Sequence, residues 1–328
     1  MVRRFFLIAA IYAGLSCAGA AASEQLPGRV SVGYLVHWPT PALFAQAKNT
    51  FDYALGVGVD WRPFTNGNEM NEAMARGEIQ IAYAQGQVPF LVGVGRGLDL
   101  TMVGVAVSYA EDDNCIVRGD AGIDRNNAAQ LAGRKIALRK GSLSHFRMLG
   151  VLKYLSVDPA AIEIVDVATG DDAVAALQRG EVVMACAGGS SLRAMRKLGQ
   201  PLMTGAEQSE IGLRVFDAVT VAGEFVHQYP DLVQAFMDIL DAANRQWKKN
   251  PEPMVKEIAR VADMDRASAR RTLSGFTFPS ALDQKSDAWL GGDVVDYSKE
   301  LADFFVTEGQ LPRALESYDR FITTRFLR

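Results

Sequence analysis

Histidine and cysteine are scarce in this sequence, with three of each among 328 residues. This scarcity argues against a metal centre built on imidazole and thiolate ligands, since His37 and His145 are scattered rather than spaced as a ligand pair. There is no basic excess either, because 34 Lys and Arg face 38 Asp and Glu for a net charge of −4. We therefore expect no nucleic-acid partner.

Long apolar runs are also missing, because no segment reaches the about 20 residues that span a bilayer as a helix. We expect no direct membrane insertion. Enzyme signatures are absent as well: the sequence has no Gly-x-Ser-x-Gly elbow, no P-loop and no His-Glu-x-x-His motif. The glycines of 93–97 lack the spacing of a dinucleotide-binding loop. These absences predict a protein that is not an enzyme and needs no cofactor.

The N-terminus has the order of a secretory signal peptide. Arg3 and Arg4 precede an apolar run over 5–15, and small residues follow over 18–22. This pattern predicts a signal peptide at 1–22 and a periplasmic mature protein. Cys17 raises the possibility of a lipid anchor, but Gly14 stands where such signals prefer a branched apolar residue, so we do not expect lipidation.

Cleavage would leave two cysteines, Cys115 and Cys186. An oxidising compartment permits a disulfide between them. Both lie in apolar, strand-like runs, so two buried free thiols are equally compatible with the sequence.

The periodicity predicts an α/β protein. Alternating apolar residues indicate a strand over 29–34, a helix follows over 42–53, and another strand over 57–61. The same pattern returns with a helix over 126–131, a strand over 135–138, a helix ending at 155 and a strand over 162–167. From Pro230 onward an apolar stripe, 232, 233, 236, 239 and 240, predicts a long helix.

An internal repeat indicates two lobes built on one plan. Residues 73–86 (AMARGEIQIAYAQG) and 176–189 (ALQRGEVVMACAGG) match at seven of fourteen positions. Each copy reads as a helix ending at Gly, a short strand and a Gly-containing loop; a turn common to many α/β proteins is the simpler alternative. We predict lobe one at 28–108 plus 218–328, lobe two at 109–217, and a ligand cleft between them.

Four loops follow strands and precede helices, where α/β proteins bind ligands. They cover 36–41, 85–88, 141–145 and 188–191, and they are rich in uncharged polar residues. A helix-capping role alone would also explain the serines. The candidate ligand-binding residues from three of these loops are Gln85, Gln87, Ser142, Ser144, His145 and Ser190.

Aromatic rings and one acid complete the candidate site. Tyr34, Trp38 and Tyr83 lie near strand ends, where rings hold cations by cation–π attraction, although core packing is the commoner role of tyrosine. Asp217 stands alone in the apolar stretch 215–221. A buried carboxylate needs a partner, which is either Arg214 or the ammonium group of a ligand.

The chain resembles the taurine-binding and alkanesulfonate-binding proteins of ATP-driven importers. The resemblance spans nearly the whole mature sequence, and its best stretches are 32–34, 45–51, 59–64, 75–81, 131–137, 176–180 and 318–326. It implies the type II periplasmic-binding architecture, with a mixed sheet flanked by helices in each lobe. The implied partners are a membrane permease and its ATPase, and the implied state is a monomer.

The resemblance also implies roles for residues in the loops. The Gly-Ser-Ser loop of the family corresponds to Gln85–Val88, its Ser/Thr-rich loop to Ser142–His145, and its amine-binding acid to Asp217. The sequence departs from the family at several of these positions: glutamines replace small hydroxyl residues, Gly188–Ser190 replaces Trp-Ala-Pro, and the loop after the first strand gains His37 and Trp38. A pocket remodelled in this way need not hold taurine.

We therefore expect capture of a small zwitterion, with taurine or a related aminosulfonate first. A methylated ammonium or sulfonium osmolyte held by Trp38 and Tyr34 is the alternative ligand. An enzyme resembling the pyrimidine-forming enzyme of thiamine biosynthesis is the alternative from another class, and it would need clustered His or Cys in the cleft. A binding protein that reports to a membrane receptor is not separable from an importer component by sequence.

Overall fold

The computed structural model describes residues 26–328. The predicted signal peptide and Cys17 lie outside the described residues. None of the helices within 26–328 is long and apolar enough to cross a membrane.

Lobe one is built on a five-stranded mixed sheet. Its strands are β1 (Arg29–Leu35), β2 (Gly58–Phe64), β3 (Ile81–Gly86), β4 (Leu100–Ser108) and β10 (Phe216–Ala222). They lie in the order β2-β1-β3-β10-β4, and β10 runs antiparallel to both neighbours. The four N-terminal strands therefore end at the edge of the sheet where β10 begins.

Helices flank this sheet. Those between its first strands are α1 (Pro41–Ala47), α2 (Thr50–Leu55), α3 (Gly67–Ala75) and α4 (Gln87–Gly95). The single helix expected over 42–53 is wrong, because Asn49 adopts a left-handed φ of 52° and divides it into α1 and α2. After β10 follow α9 (Gly223–Gln228), α10 (Pro230–Lys249), α11 (Glu252–Val261), α12 (Arg266–Leu273), α13 (Ala281–Lys285) and α14 (Asp293–Thr307). The predicted apolar stripe of α10 is buried against the core.

Lobe two is built on a second five-stranded sheet. Its strands are β5 (Asp113–Arg118), β6 (Lys135–Leu138), β7 (Glu163–Asp166), β8 (Met184–Gly188) and β9 (Gly199–Gln200), in the order β7-β6-β8-β5-β9. Its helices are α5 (Leu143–Tyr154), α6 (Gly170–Gln178), α7 (Gly189–Met195) and α8 (Gly205–Glu210). The helix expected over 126–131 is a short 3₁₀ turn, Ala128–Leu131.

The two sheets share one topology, which explains the internal repeat. The strand order β2-β1-β3-β10-β4 becomes β7-β6-β8-β5-β9 when β10 is matched to β5 and β4 to β9. The repeated segments run from the end of α3 through β3 and from the end of α6 through β8 to the first residue of α7, and each helix ends before a glycine of positive φ, 70° at Gly77 and 72° at Gly180. The sequence prediction of two lobes on one plan is confirmed.

The chain crosses between the sheets twice, after Ser108 and before Phe216. The two crossovers are hydrogen-bonded to each other, because the N–H of Tyr109 donates to the carbonyl of Val215 at 3.1 Å. The N–H of Ser108 also donates to the carbonyl of Thr277 at 2.8 Å, so a third segment lies against this hinge. The residue limits predicted for each lobe stay a prediction.

Cys115 and Cys186 form a disulfide in lobe two. They stand directly opposite each other on the antiparallel strands β5 and β8. Of the two states that the sequence left open, the structure has the bridge.

Candidate functional site

Asp217 marks the point where lobe one meets the hinge. It is the second residue of β10 and pairs with Gly86 of β3 and Val107 of β4. Because β10 is antiparallel to both strands, Asp217 lies at their carboxyl ends, the edge at which α/β proteins bind ligands. Its side chain is buried, with 3% of the residue exposed.

The Asp217 carboxyl has one filled and one free acceptor. The hydroxyl of Tyr109 donates to Oδ1 at 3.2 Å. Oδ2 is buried without a hydrogen-bond partner among residues 26–328, and no Lys or Arg of that range forms an ion pair with the group. A buried carboxylate in this state is costly unless a cation approaches it.

Burial raises the pKa of Asp217 to about 7, because the charged form loses its hydration. The hydroxyl of Tyr109 opposes this rise by stabilising the carboxylate. The neighbouring indole N–H of Trp38 also favours the ionised form, although Nε1 makes no hydrogen bond of normal geometry to a described residue. The group is thus poised to change charge near neutral pH.

An aromatic wall stands beside the carboxyl. The ring of Trp38 packs edge-on against Tyr109 at a centroid distance of 5.3 Å and in a tilted arrangement against Phe276 at 4.7 Å. Tyr109 and Phe276 are 6.2 Å apart. These separations mean that the rings contact one another and form a wall, rather than facing each other across a space.

The turn from β3 into α4 supplies the next group of side chains. Ala84 has a left-handed φ of 60°, and the pairing of β3 with β10 shifts by one residue at this point, which is a β-bulge. The bulge turns Gln85 inward, where its Nε2 donates to Asn71 Oδ1 at 2.8 Å. Gln87 begins α4 with 4% exposure, and neither of its amide atoms has a partner among residues 26–328.

A Cβ at Gly86 would lie 3.3 Å from Pro89, a tight contact, and 3.5 Å from Oδ1 of Asp217, an ordinary van der Waals distance. The same close approach places the start of α4 beside the carboxyl. Tyr83, three residues before Gly86 in β3, is buried, and burial together with the nearby Asp217 raises the pKa of its hydroxyl. Tyr83 therefore belongs to the surroundings of Asp217, and Gln87 directly follows Gly86, the strand partner of Asp217, whereas Gln85 is committed to lobe one.

A second aspartate, Asp113, lies in lobe two next to the hinge. Asp113 begins β5 and accepts from Ser144 Oγ at 2.7 Å and from Arg147 at 3.2 Å. Its charge raises the pKa of Tyr109, so the two are neighbours across the first crossover. Ser142 caps α5 by accepting from the N–H of His145 at 3.1 Å. The N–H groups of Leu143 and Ser144, which precede His145 in this turn, have no intrahelical partner, and the helix dipole favours negative charge at this end.

Three of the predicted site residues make their contacts away from Asp217. His145 accepts from the N–H of Gly141 at 3.1 Å and packs on Phe304, and burial lowers its pKa. Tyr34 packs edge-on against Trp61 at a centroid distance of 6.1 Å. Ser190 is exposed in the first turn of α7. The structure shows no contact of these three with Asp217.

Sequence reasoning missed Tyr109 and Phe276. Tyr109 lies in the first crossover and Phe276 in the segment after α12 that lies against the hinge, and both contact Trp38 only through folding contacts over long sequence separations. One signal was available: the crossing segments had to meet at the cleft, so an aromatic residue at the predicted lobe boundary was a candidate. Arg214, the structural partner considered for Asp217, lies over Trp289 instead, 4.9 Å from its ring.

The fold places the chain in a known class of protein architecture. The chain has the two-lobed α/β architecture of periplasmic-binding proteins, as predicted: the crystal structure of the periplasmic aliphatic sulphonate binding protein SsuA from Escherichia coli superposes with a TM-score of 0.70, covering 92% of this chain and 100% of that one, at 19% identity. The family model described as NMT1/THI5 like matches residues 39–254. The chain belongs to the NMT1/THI5-like family.

Two further likenesses bear on function. The taurine-binding periplasmic protein of Escherichia coli (strain K12) is 26% identical over 293 residues, covering 88% of this chain and 89% of the relative. The crystal structure of a mutant of the enzyme DszB with biphenyl-2-sulfinic acid has a TM-score of 0.62 at 16% identity, covering 92% of this chain and 98% of that one. The fold therefore occurs in both binding proteins and an enzyme.

Proposed function

We propose that the chain is the periplasmic solute-binding component of an ABC importer and that its ligand is a small zwitterion, taurine or a related aminosulfonate first. The observation that carries the proposal is Asp217, a buried carboxyl at the hinge with one oxygen unpartnered among residues 26–328. The likeness to a taurine-binding periplasmic protein over most of both chains supports it.

The cationic end of the ligand is assigned to lobe one. An ammonium group donates to Oδ2 of Asp217 and lies against the wall of Trp38, Tyr109 and Phe276. The amide oxygen of Gln87 is a second acceptor for it. Formation of this ion pair away from water offsets the cost of burying the carboxylate.

The anionic end is assigned to lobe two. Its donors are the N–H groups in the first turn of α5, whose dipole favours negative charge. Ser142 and Ser144 line this turn, but both hydroxyl groups also serve the protein itself, as the cap of α5 and as the donor to Asp113. A ligand held at both ends draws the lobes together.

The aromatic geometry favours a primary amine over a methylated cation. A methylated ammonium is held best between ring faces that leave room for it, with the cation within about 6 Å of each centroid. Here Trp38 and Phe276 lie in mutual contact at 4.7 Å. The rings therefore shield one side of the Asp217 carboxyl, and the relatives named above give the osmolyte alternative no support.

Binding is also proposed over catalysis. The cysteines within 26–328 are joined in the disulfide, and the ring of His145 is occupied by the N–H of Gly141 and by Phe304. The clustered His or Cys that the thiamine-related alternative needs does not surround Asp217.

A thermal-shift screen tests the ligand class. The mature protein is heated with taurine, ethanesulfonate, glycine betaine and a sulfonium osmolyte in turn. At one hundred times its dissociation constant a ligand adds about 2.7 kcal/mol, which shifts the transition visibly. We expect taurine to shift it most; a shift confined to the methylated cations would refute the aminosulfonate assignment.

A further inference from the structure

A second open space lies at the junction of the lobes, with a volume of about 880 Å³. One wall comes from the end of α8 in lobe two and the other from the chain between α12 and α14. The second crossover contributes one residue, Arg214. We call this space the hinge groove; the lining residues that matter are Glu210, Arg214, Phe278, Lys285, Trp289 and Asp293.

The hinge groove is separate from the site at Asp217. Side chains alternate along an extended strand, so Arg214 and Phe216 point to one face and Asp217 to the other. The contacts of Trp289 show that Arg214 and Phe216 point to the same face, because its ring packs on Phe216 at a centroid distance of 5.6 Å and lies 4.9 Å from the guanidinium of Arg214. The crossover strand therefore stands between the two spaces.

Arg214 is a buried cation with little neutralisation. It is 7% exposed, and its Nε has no hydrogen-bond partner among residues 26–328. Its nearest carboxylate, Asp293, is 4.0 Å from Nη2, beyond hydrogen-bond range. Burial lowers the pKa of Arg214 for the same reason that it disfavours any charged group. A guanidinium in this position calls for an anion.

The acidic side chains that line the hinge groove do not neutralise Arg214. Asp283 is committed to the cap of α13, where it accepts from Ser280. Glu210 and Asp293 are exposed, so water and salt screen their charges. Lys285, also exposed, adds a second positive charge at the rim.

We propose that the hinge groove is a second binding site, for a small organic anion: a carboxylate or sulfonate with an apolar body. The oxygens of the anion pair with the fork of the Arg214 guanidinium, whose geometry matches such groups. Phe278 and Trp289 contact the apolar body, and Lys285 strengthens binding from the rim. Because the walls belong to both lobes, an occupant also biases the angle between them, which couples this site to the interlobe cleft.

The test is calorimetric titration with 4-toluenesulfonate as the probe. We expect binding to the wild-type protein and to Asp217→Asn with similar affinity, and about tenfold weaker binding to Arg214→Gln, equivalent to about 1.4 kcal/mol. Arg245→Gln is the matched control, since Arg245 is an exposed arginine that pairs with Asp241 on α10. It should leave the dissociation constant unchanged.

An unchanged dissociation constant in Arg214→Gln would place the probe elsewhere and overturn the proposal. So would the absence of binding to the wild-type protein at about 10 mM, well above a millimolar dissociation constant. If Arg214→Gln does not fold, Lys285→Gln and its exposed counterpart Lys249→Gln decide the question. Weakening of about threefold is expected in the first and none in the second; equal affinity in both refutes the site.

Discussion

At the level of single residues, the proposed function depends on one carboxyl group. Asp217 is buried, receives one hydrogen bond from Tyr109 and has no cation among residues 26–328. Its pKa of about 7 expresses the conflict between burial and charge. A ligand with an ammonium group resolves this conflict, whereas a neutral or purely anionic ligand does not.

Taurine affinity should depend on pH through this group. The ammonium of the ligand requires the ionised carboxylate, so protonation of Asp217 competes with binding. With a pKa of about 7, the dissociation constant should be about tenfold weaker at about pH 6 than at about pH 8. Isothermal titration across this range measures it, and a flat profile in the wild-type protein would contradict the assignment.

Asp217→Asn is the control for that titration, because its side chain does not titrate. The raised pKa also predicts that the folded state holds a proton that the unfolded chain releases from its ordinary value of 3.8 upward. The ligand-free wild-type protein should therefore lose stability as pH rises from about 4 to about 7, and the variant should lose less over this interval.

Tyr109→Phe isolates the hydrogen bond at Oδ1. The ring and its packing against Trp38 remain, while the donor that stabilises the carboxylate is lost. The loss should raise the pKa of Asp217 further, move the midpoint of the binding profile to higher pH and weaken binding at neutral pH by about threefold to tenfold. Tyr53→Phe, at a tyrosine that is 85% exposed, is the matched control. An identical profile in wild type and Tyr109→Phe would remove Tyr109 from the site.

At the scale of elements, local patterns predicted the strands and repeats well. The apolar alternation of 29–34 became β1, and the repeat at 73–86 and 176–189 became equivalent units of two sheets with one topology. The break at Asn49 was missed because nothing in the helical periodicity marks a left-handed residue. Tyr109 and Phe276 were missed because their roles depend on contacts between segments far apart in sequence, which periodicity within one element does not contain.

The disulfide ties two elements of lobe two together. Cys115 and Cys186 are 71 residues apart in sequence, and closing a loop of that size in the unfolded chain is worth about 4 kcal/mol in the chain-entropy model. The double substitution Cys115→Ala and Cys186→Ala should lower the urea midpoint accordingly while leaving taurine affinity within about twofold. A midpoint equal to that of the wild-type protein would show that the bridge does not stabilise the fold.

At the scale of the whole molecule, the proposed site draws on both lobes. Lobe one supplies the carboxyl and the rings of Trp38 and Phe276, lobe two supplies the first turn of α5, and the crossovers, one of which carries the ring of Tyr109, join them. A ligand with opposite charges at its ends contacts both lobes, so its binding energy is available to close the cleft. The same two-lobed fold occurs in SsuA and in DszB, and the side chains around the cleft, rather than the fold, therefore separate binding from catalysis.

Comparison of taurine with isethionate tests whether Asp217 accepts the cationic end of the ligand. Isethionate keeps the sulfonate and carries a hydroxyl in place of the ammonium group. Calorimetry at about pH 8 should show taurine binding at least about tenfold more tightly to the wild-type protein, and Asp217→Asn should remove most of that preference. Asp60→Asn, on the edge strand β2, should retain it. Equal affinity for the two ligands, or a preference for taurine that survives in Asp217→Asn, would contradict the role of Asp217 as the acceptor of a ligand cation.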